Sequence, residues 1–156
     1  MHSIYLYICI VLSLNEKKTI DATLRSSWNA VSKMYNREAS KFNSTMATGF
    51  ALLNIEQDGT PSSSLGPKLG MESTSLSRLL NSMENKKLIE RHPNPIDGRG
   101  VLIFLTPFGK KKRDDSKAVV LNFNRVVEKK LSEIQIKHFF EVSSCIAEES
   151  RTFEHF

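Results

Sequence analysis

Apolar side chains recur at a three-to-four spacing, with one longer step, between Thr19 and Phe42: Ile20, Leu24, Trp28, Val31, Tyr35 and Phe42. That spacing puts them on one stripe of an amphipathic helix. A polar break, Asn43-Ser44-Thr45, separates it from a second helix reaching about Ile55, with Phe50, Ala51 and Leu53 turned inward. Gln57-Asp58-Gly59 ends that helix, the glycine supplying a left-handed stop. Thr60-Pro61 predicts the start of a short helix, with Thr as cap and Pro at the first helical position. Leu65 and Leu69 face inward there, Pro67 should kink the helix, and Gly70 permits a tight turn. The next helix, capped by Glu72 or Ser73, runs to about Lys86 and buries Leu76, Leu79, Leu80 and Met83.

The pattern then changes period. Leu88 to His92 and Val101 to Leu105 read as two strands, and the Pro, Asn and Gly residues from Pro93 to Gly100 read as the turn between them. A long helix comes next, from about Pro107 to Lys130, with Val119, Phe123, Val126 and Val127 on one face. Ser132 and Gln135 form a capping-box signature for a last helix carrying Ile136, Phe139, Phe140 and Ile146. The terminal helices hold more apolar surface than a small central unit can cover. Two chains sharing those helices as a homodimer would cover it.

The central hydrophobic pattern describes a helix, a tight turn, a second helix and a hairpin. In a helix-turn-helix the second helix enters the major groove by its N-terminal end. Ser73, Thr74, Ser75, Ser77 and Arg78 suit that role. Short hydroxyl side chains let the backbone approach base edges, and Arg can bond guanine O6 and N7 in a fork. The alternative for the same residues is a solvated helix face. At the hairpin tip, Arg99 suits a narrow minor groove, and Asp97 could brace an arginine by a charge-assisted hydrogen bond. The alternative there is an ordinary Asp-Gly turn.

The ordered set of motifs from Thr60 to Gly109 resembles the winged helix-turn-helix of MarR-family transcriptional regulators. Ser82-Met83-Glu84-Asn85-Lys86-Lys87-Leu88-Ile89-Glu90-Arg91 matches the family's Leu-Glu-x-x-Gly-Leu-x-x-Arg junction. Asp97-Gly98-Arg99 matches its Asp-x-Arg wing, and Leu105-Thr106-Pro107-Phe108-Gly109 its Leu-Thr-x-x-Gly. With the flanking helices the resemblance covers about Ile20 to Ile146. It implies a mainly α fold with a small β-hairpin wing. Residues 43–106 would form the winged helix-turn-helix region, and residues 19–42 and 107–150 the dimerisation helices of what is overall a single domain. It further implies an obligate homodimer on a pseudo-palindromic operator in double-stranded DNA, acting as a repressor released by a small aromatic effector. Trp28, Tyr35 and Phe50 would lie near the effector cavity; their alternative role is core and dimer packing. Two residues depart from the family pattern. Lys87 stands where glycine is usual and the chain turns left-handed, at some cost for lysine. Gly98 stands where a wing arginine is common.

Composition narrows the picture without redirecting it. The chain has 156 residues, 40% hydrophobic and 25% charged, with a net charge of +5. A modest basic excess suits a polyanionic partner. Cys9 and Cys145 are far apart and form no metal-ligand spacing, so the default is a reducing compartment, the cytoplasm. His2, His92, His138 and His155 are scattered, and no nucleophile–base pattern or Gly-rich phosphate loop appears, which argues against an enzyme. No cofactor or metal is expected. The apolar run from Ile4 to Leu14 is about half the length needed to span a bilayer, so no membrane partner is expected. Residues 1–18 read either as an extension packing on a partner subunit or, preferably, as residues added by an upstream start codon. The rival function is a dimeric small-molecule-binding or protein-interaction module of the same fold without specific DNA binding.

Overall fold

Thr19 opens the first helix, α1 (Ile20–Ser40), by accepting a hydrogen bond from the Ala22 amide at 3.4 Å. The computed structural model describes residues 19–95 and 100–153. The N-terminal residues 1–18 lie outside the described residues, as do the wing residues Asp97 and Arg99. By its contacts the chain divides into two compact units, Met1–Ala51 and Leu52–Phe156, each described by itself.

In the first unit α1 buries none of its side chains, and Ile20, Leu24 and Trp28 are exposed. Its C-terminal end is closed by Asn43 at φ 51°, with the Asn43 amide donating to Ser40 O and the Ser44 amide to Ala39 O, both at 3.1 Å. Thr45 then caps α2 (Met46–Asn54), accepting from the Thr48 amide at 3.2 Å. Ala51 is buried, and so is Leu52 rather than the expected Leu53, which is half-buried.

The second unit begins with a difference from expectation. Thr60 and Pro61 form a strand, β1 (Thr60–Pro61), paired antiparallel with the later strand β3 (Val101–Leu105) in the register Thr60↔Ile103 and Pro61↔Leu102. Thr60 does not cap a helix: its hydroxyl turns back to accept the Glu56 amide at 2.9 Å, and the side chain is buried. Pro61 takes the cap position of α3 (Ser62–Leu69), without a side-chain cap bond. Proline is tolerated there because β1 is an edge strand. The helix continues through Pro67 and buries Leu65, while Leu69 is half-buried.

Strand β2 (Ile89–Pro93) pairs with the other edge of β3, giving the order β1-β3-β2, with Ile89 opposite Leu105 and Pro93 opposite Val101. Burial alternates along β3: Ile103 and Leu105 point inward, to the side buried with Ile89, Leu65 and Leu52. Helices α5 (Pro107–Glu128) and α6 (Glu133–Thr152) complete the unit. The capping box at Ser132 is formed as expected: the Ser132 hydroxyl accepts the Gln135 amide at 3.2 Å, and the Gln135 side chain accepts the Ser132 amide at 2.8 Å. Apart from Gly109, α5 buries no residue, and α6 buries none; Leu121, Ile134, Phe139 and Phe140 are exposed.

Candidate nucleic-acid interface

Helix α4 (Ser73–Asn85) presents two chemically distinct faces. Leu76, Leu80 and Met83 are buried, and Leu79 is half-buried. Ser73, Thr74, Ser75, Ser77 and Arg78 are all exposed. The recurrence of Thr74, Ser77, Arg78 and Asn81 at three- and four-residue steps gathers them on one stripe. Among the described residues no ion pair holds Arg78, so its guanidinium is available to an incoming acceptor. At the N-terminus Glu72 occupies the cap position, but its side chain makes no capping bond. Neither expected cap, Glu72 or Ser73, therefore closes this end by its side chain. A helix start carries partial positive charge and suits a phosphate or a base acceptor.

Helices α3 and α4 are joined by a turn that favours glycine. Gly70 lies at φ 60°, with its amide donating to Pro67 O at 3.3 Å and the Met71 amide to Gly66 O at 2.9 Å. The end of α4 repeats this geometry with a lysine. Lys87 is at φ 55°, its amide donates to Glu84 O at 2.8 Å, and the Leu88 amide donates to Met83 O at 2.9 Å. The left-handed conformation expected at Lys87 is therefore present.

The segment from Thr106 to Gly109 locks the end of α4 to the start of α5. The Thr106 hydroxyl donates to Lys87 O at 2.7 Å and accepts the Gly109 amide at 2.9 Å, while the Thr106 amide donates to Leu88 O at 3.1 Å. Gly109 lies so near that a Cβ there would sit 1.9 Å from Leu88 O. The Leu-Thr-x-x-Gly motif is thus structural, because one hydroxyl both caps α5 and holds the carbonyl of the left-handed residue.

The hairpin leaves the body of the unit between β2 and β3, and the Asn94 amide donates to Gly100 O at 2.9 Å to close it below the tip. His92 lies exposed on β2, with its ring edge-on to Phe104 at 5.1 Å. Arg91, on the same strand, reaches back to α4, where its Nη2 donates to Asn81 Oδ1 at 2.7 Å and its Nε lies 3.4 Å from Glu84 Oε2. The sequence by itself assigns no role to Arg91. The spacing Glu84…Arg91 inside the junction motif is the one signal that could have found it.

Of the candidate effector residues, Tyr35 and Phe50 meet edge to face at 5.6 Å, and burial pushes the Tyr35 phenol pKa upward. Trp28 is 53% exposed. Among the described residues no group of acidic, histidine or cysteine side chains could hold a metal ion, and no helix is long and apolar enough to cross a membrane.

Two helices joined by a left-handed glycine, with a paired hairpin after them, define a winged helix-turn-helix protein. Residues 45–101 match the model of the MarR family. No curated protein matches it. Among solved structures it resembles S. aureus MepR in a DNA complex at a TM-score of 0.78 and 21% identity, covering 85% of this chain and 99% of that one. It resembles a mutant E. coli MarR complexed with operator DNA at 0.74 and 22%, covering 85% and 96%. It resembles the Streptomyces coelicolor regulator PcaV, in complex with its natural ligand, at 0.71 and 19%, covering 85% and 94%. At these identities the likeness establishes the shared fold.

Proposed function

We propose that this chain is a sequence-specific DNA-binding transcriptional regulator of the cytoplasm, a repressor that binds a pseudo-palindromic operator as a homodimer. The observation that carries the reading is the exposed stripe of α4, where short hydroxyls and Arg78, held by no ion pair among the described residues, lie on a helix anchored by Leu76, Leu80 and Met83. Ser73, Thr74, Ser75 and Ser77 approach the base edges and phosphates, and Arg78 reads a guanine. The wing residue Arg99, with Asp97, supplies the groove contact beside it. That two proteins of the same fold are known in DNA complexes supports the reading.

The regulator responds to a small aromatic effector bound near Trp28, Tyr35 and Phe50. The support is the edge-to-face pair of Tyr35 and Phe50, together with an exposed tryptophan on the helix that carries Tyr35. A thermal-shift screen of aromatic acids and phenols checks this, since a ligand that binds only the folded state raises the melting temperature.

The DNA reading is tested by mobility shift on duplex upstream of the protein's own coding sequence. Affinity should fall steeply and log-linearly with salt as phosphate contacts release counterions. Arg99→Ala should weaken binding to all sequences. Arg78→Ala should weaken binding to the operator by about tenfold and relax preference at one base pair in each half-site, as expected for loss of a forked guanine contact worth roughly 1–3 kcal/mol. Equal, salt-insensitive affinity for operator and random DNA would instead support the rival module without specific DNA binding.

A further inference from the structure

Strand β2 carries one buried side chain, Ile89; from Glu90 to Pro93 it is exposed. Beyond Ile89, Arg91 makes a polar side-chain link between this strand and α4. Its guanidinium touches Asn81 and Glu84, which stand one turn apart on α4. These two residues continue the stripe of Thr74, Ser77 and Arg78 toward the C-terminal end of the helix. Arg91 therefore grips the reading face itself at the end remote from its N-terminus. Because the Arg91 and Glu84 side chains are 32% and 43% exposed, their pairing adds little to folding stability. Its geometric effect is larger. A planar guanidinium that hydrogen-bonds Asn81 through one nitrogen and pairs with Glu84 through another fixes the angle between the strand that leads to the wing tip and the helix, and a lysine point charge cannot do the same.

We propose that Arg91 is a positioning residue for DNA binding. By holding Asn81 and Glu84 together it sets the wing against the recognition helix, so that both meet the duplex in one approach. The proposal rests on the DNA-binding reading above. Loosening the clamp lowers the fraction of molecules in the binding-competent arrangement, and the apparent affinity falls by that fraction.

The test uses the full-length chain and a fluorescent duplex of the sequence that the wild-type protein enriches from a random library. Anisotropy titrations are run well below every variant's melting transition. Glu84→Gln removes a negative charge, so electrostatics alone would tighten its hold on DNA. The clamp requires the opposite: roughly fivefold weaker binding, with the melting temperature within about 2 °C of wild type. Arg91→Lys keeps the charge and should weaken binding to a similar extent. Glu84→Gln binding as tightly as wild type or more tightly would overturn the proposal. So would Arg91→Lys matching wild type, because that would make Arg91 an ordinary phosphate contact. If the wild-type protein enriches no sequence at all, it is the DNA-binding reading that fails, and the two failures remain distinct.

Discussion

Lys87 holds a backbone conformation that costs an L-residue with a side chain roughly 1–2 kcal/mol, and the structure around it leaves no alternative. Its amide and carbonyl are both committed, to Glu84 O and to the Thr106 hydroxyl. Its side chain is exposed. Lys87→Gly should therefore stabilise the protein by about 1 kcal/mol, somewhat reduced by the greater freedom of glycine in the unfolded chain. Urea denaturation should show a higher midpoint at unchanged slope; an unchanged or lower midpoint would mean that the turn is unstrained. Gly70 shows the same turn without the penalty. Asn43 shows the middle case, since asparagine tolerates the left-handed region better than lysine.

At the scale of elements, α1 stands out because charge and capping, rather than burial, mark its ends. The Asp21 carboxylate is held below its ordinary pKa, first by the Thr19 hydroxyl and then by backbone amides and Arg25. Glu38 is held low by its hydrogen bond from Lys41 and by the positive charges of Lys41 and Arg37. A depressed folded-state pKa contributes stability that is complete above the ordinary carboxylate range and is lost as pH falls through and below about 4. Helicity followed by circular dichroism should decline on acidification in the wild type, and this acid-side loss should shrink in an Asp21→Asn, Glu38→Gln double variant. Equal acid profiles would show that these caps do not hold the helix. The same distinction between local and remote causes explains what sequence alone can reveal. The Ser132 capping box and the bounds of α4 to within a residue or two are legible, because each is decided by neighbours along the chain, whereas the left-handed turn at Lys87 is legible only through the family resemblance. Strand β1 is not, because Thr60 and Pro61 become a strand only by pairing with Ile103 and Leu102, more than forty positions away. Arg91 is silent for the same reason: its partners lie on another element. Leu52 and Leu53 both fit the apolar pattern, and only tertiary packing selects between them.

For the whole molecule, the most informative surface is the one left open. Helix α6 exposes Ile134, Phe139 and Phe140, all above 60%, and α5 exposes Leu121 and Val126. Apolar side chains repeated along long helices are the signature of an interface to be covered. If a second copy covers it, sedimentation should give twice the chain mass of 17.7 kDa. Phe139→Glu combined with Phe140→Glu should return the single-chain mass and abolish operator binding, whereas a dimer that survives both changes would place the interface elsewhere. The junction at Leu88, Thr106 and Gly109 bears on how such an assembly would transmit a signal. With no room for a Cβ at Gly109, and with Thr106 bonded to Lys87 O, Leu88 O and the Gly109 amide, the joint between α4 and α5 is a weld and not a hinge. A lever of 13 residues is about 20 Å long, so a ten-degree tilt of α5 would sweep the Ser73 end of α4 by about 3.5 Å, roughly one base-pair step.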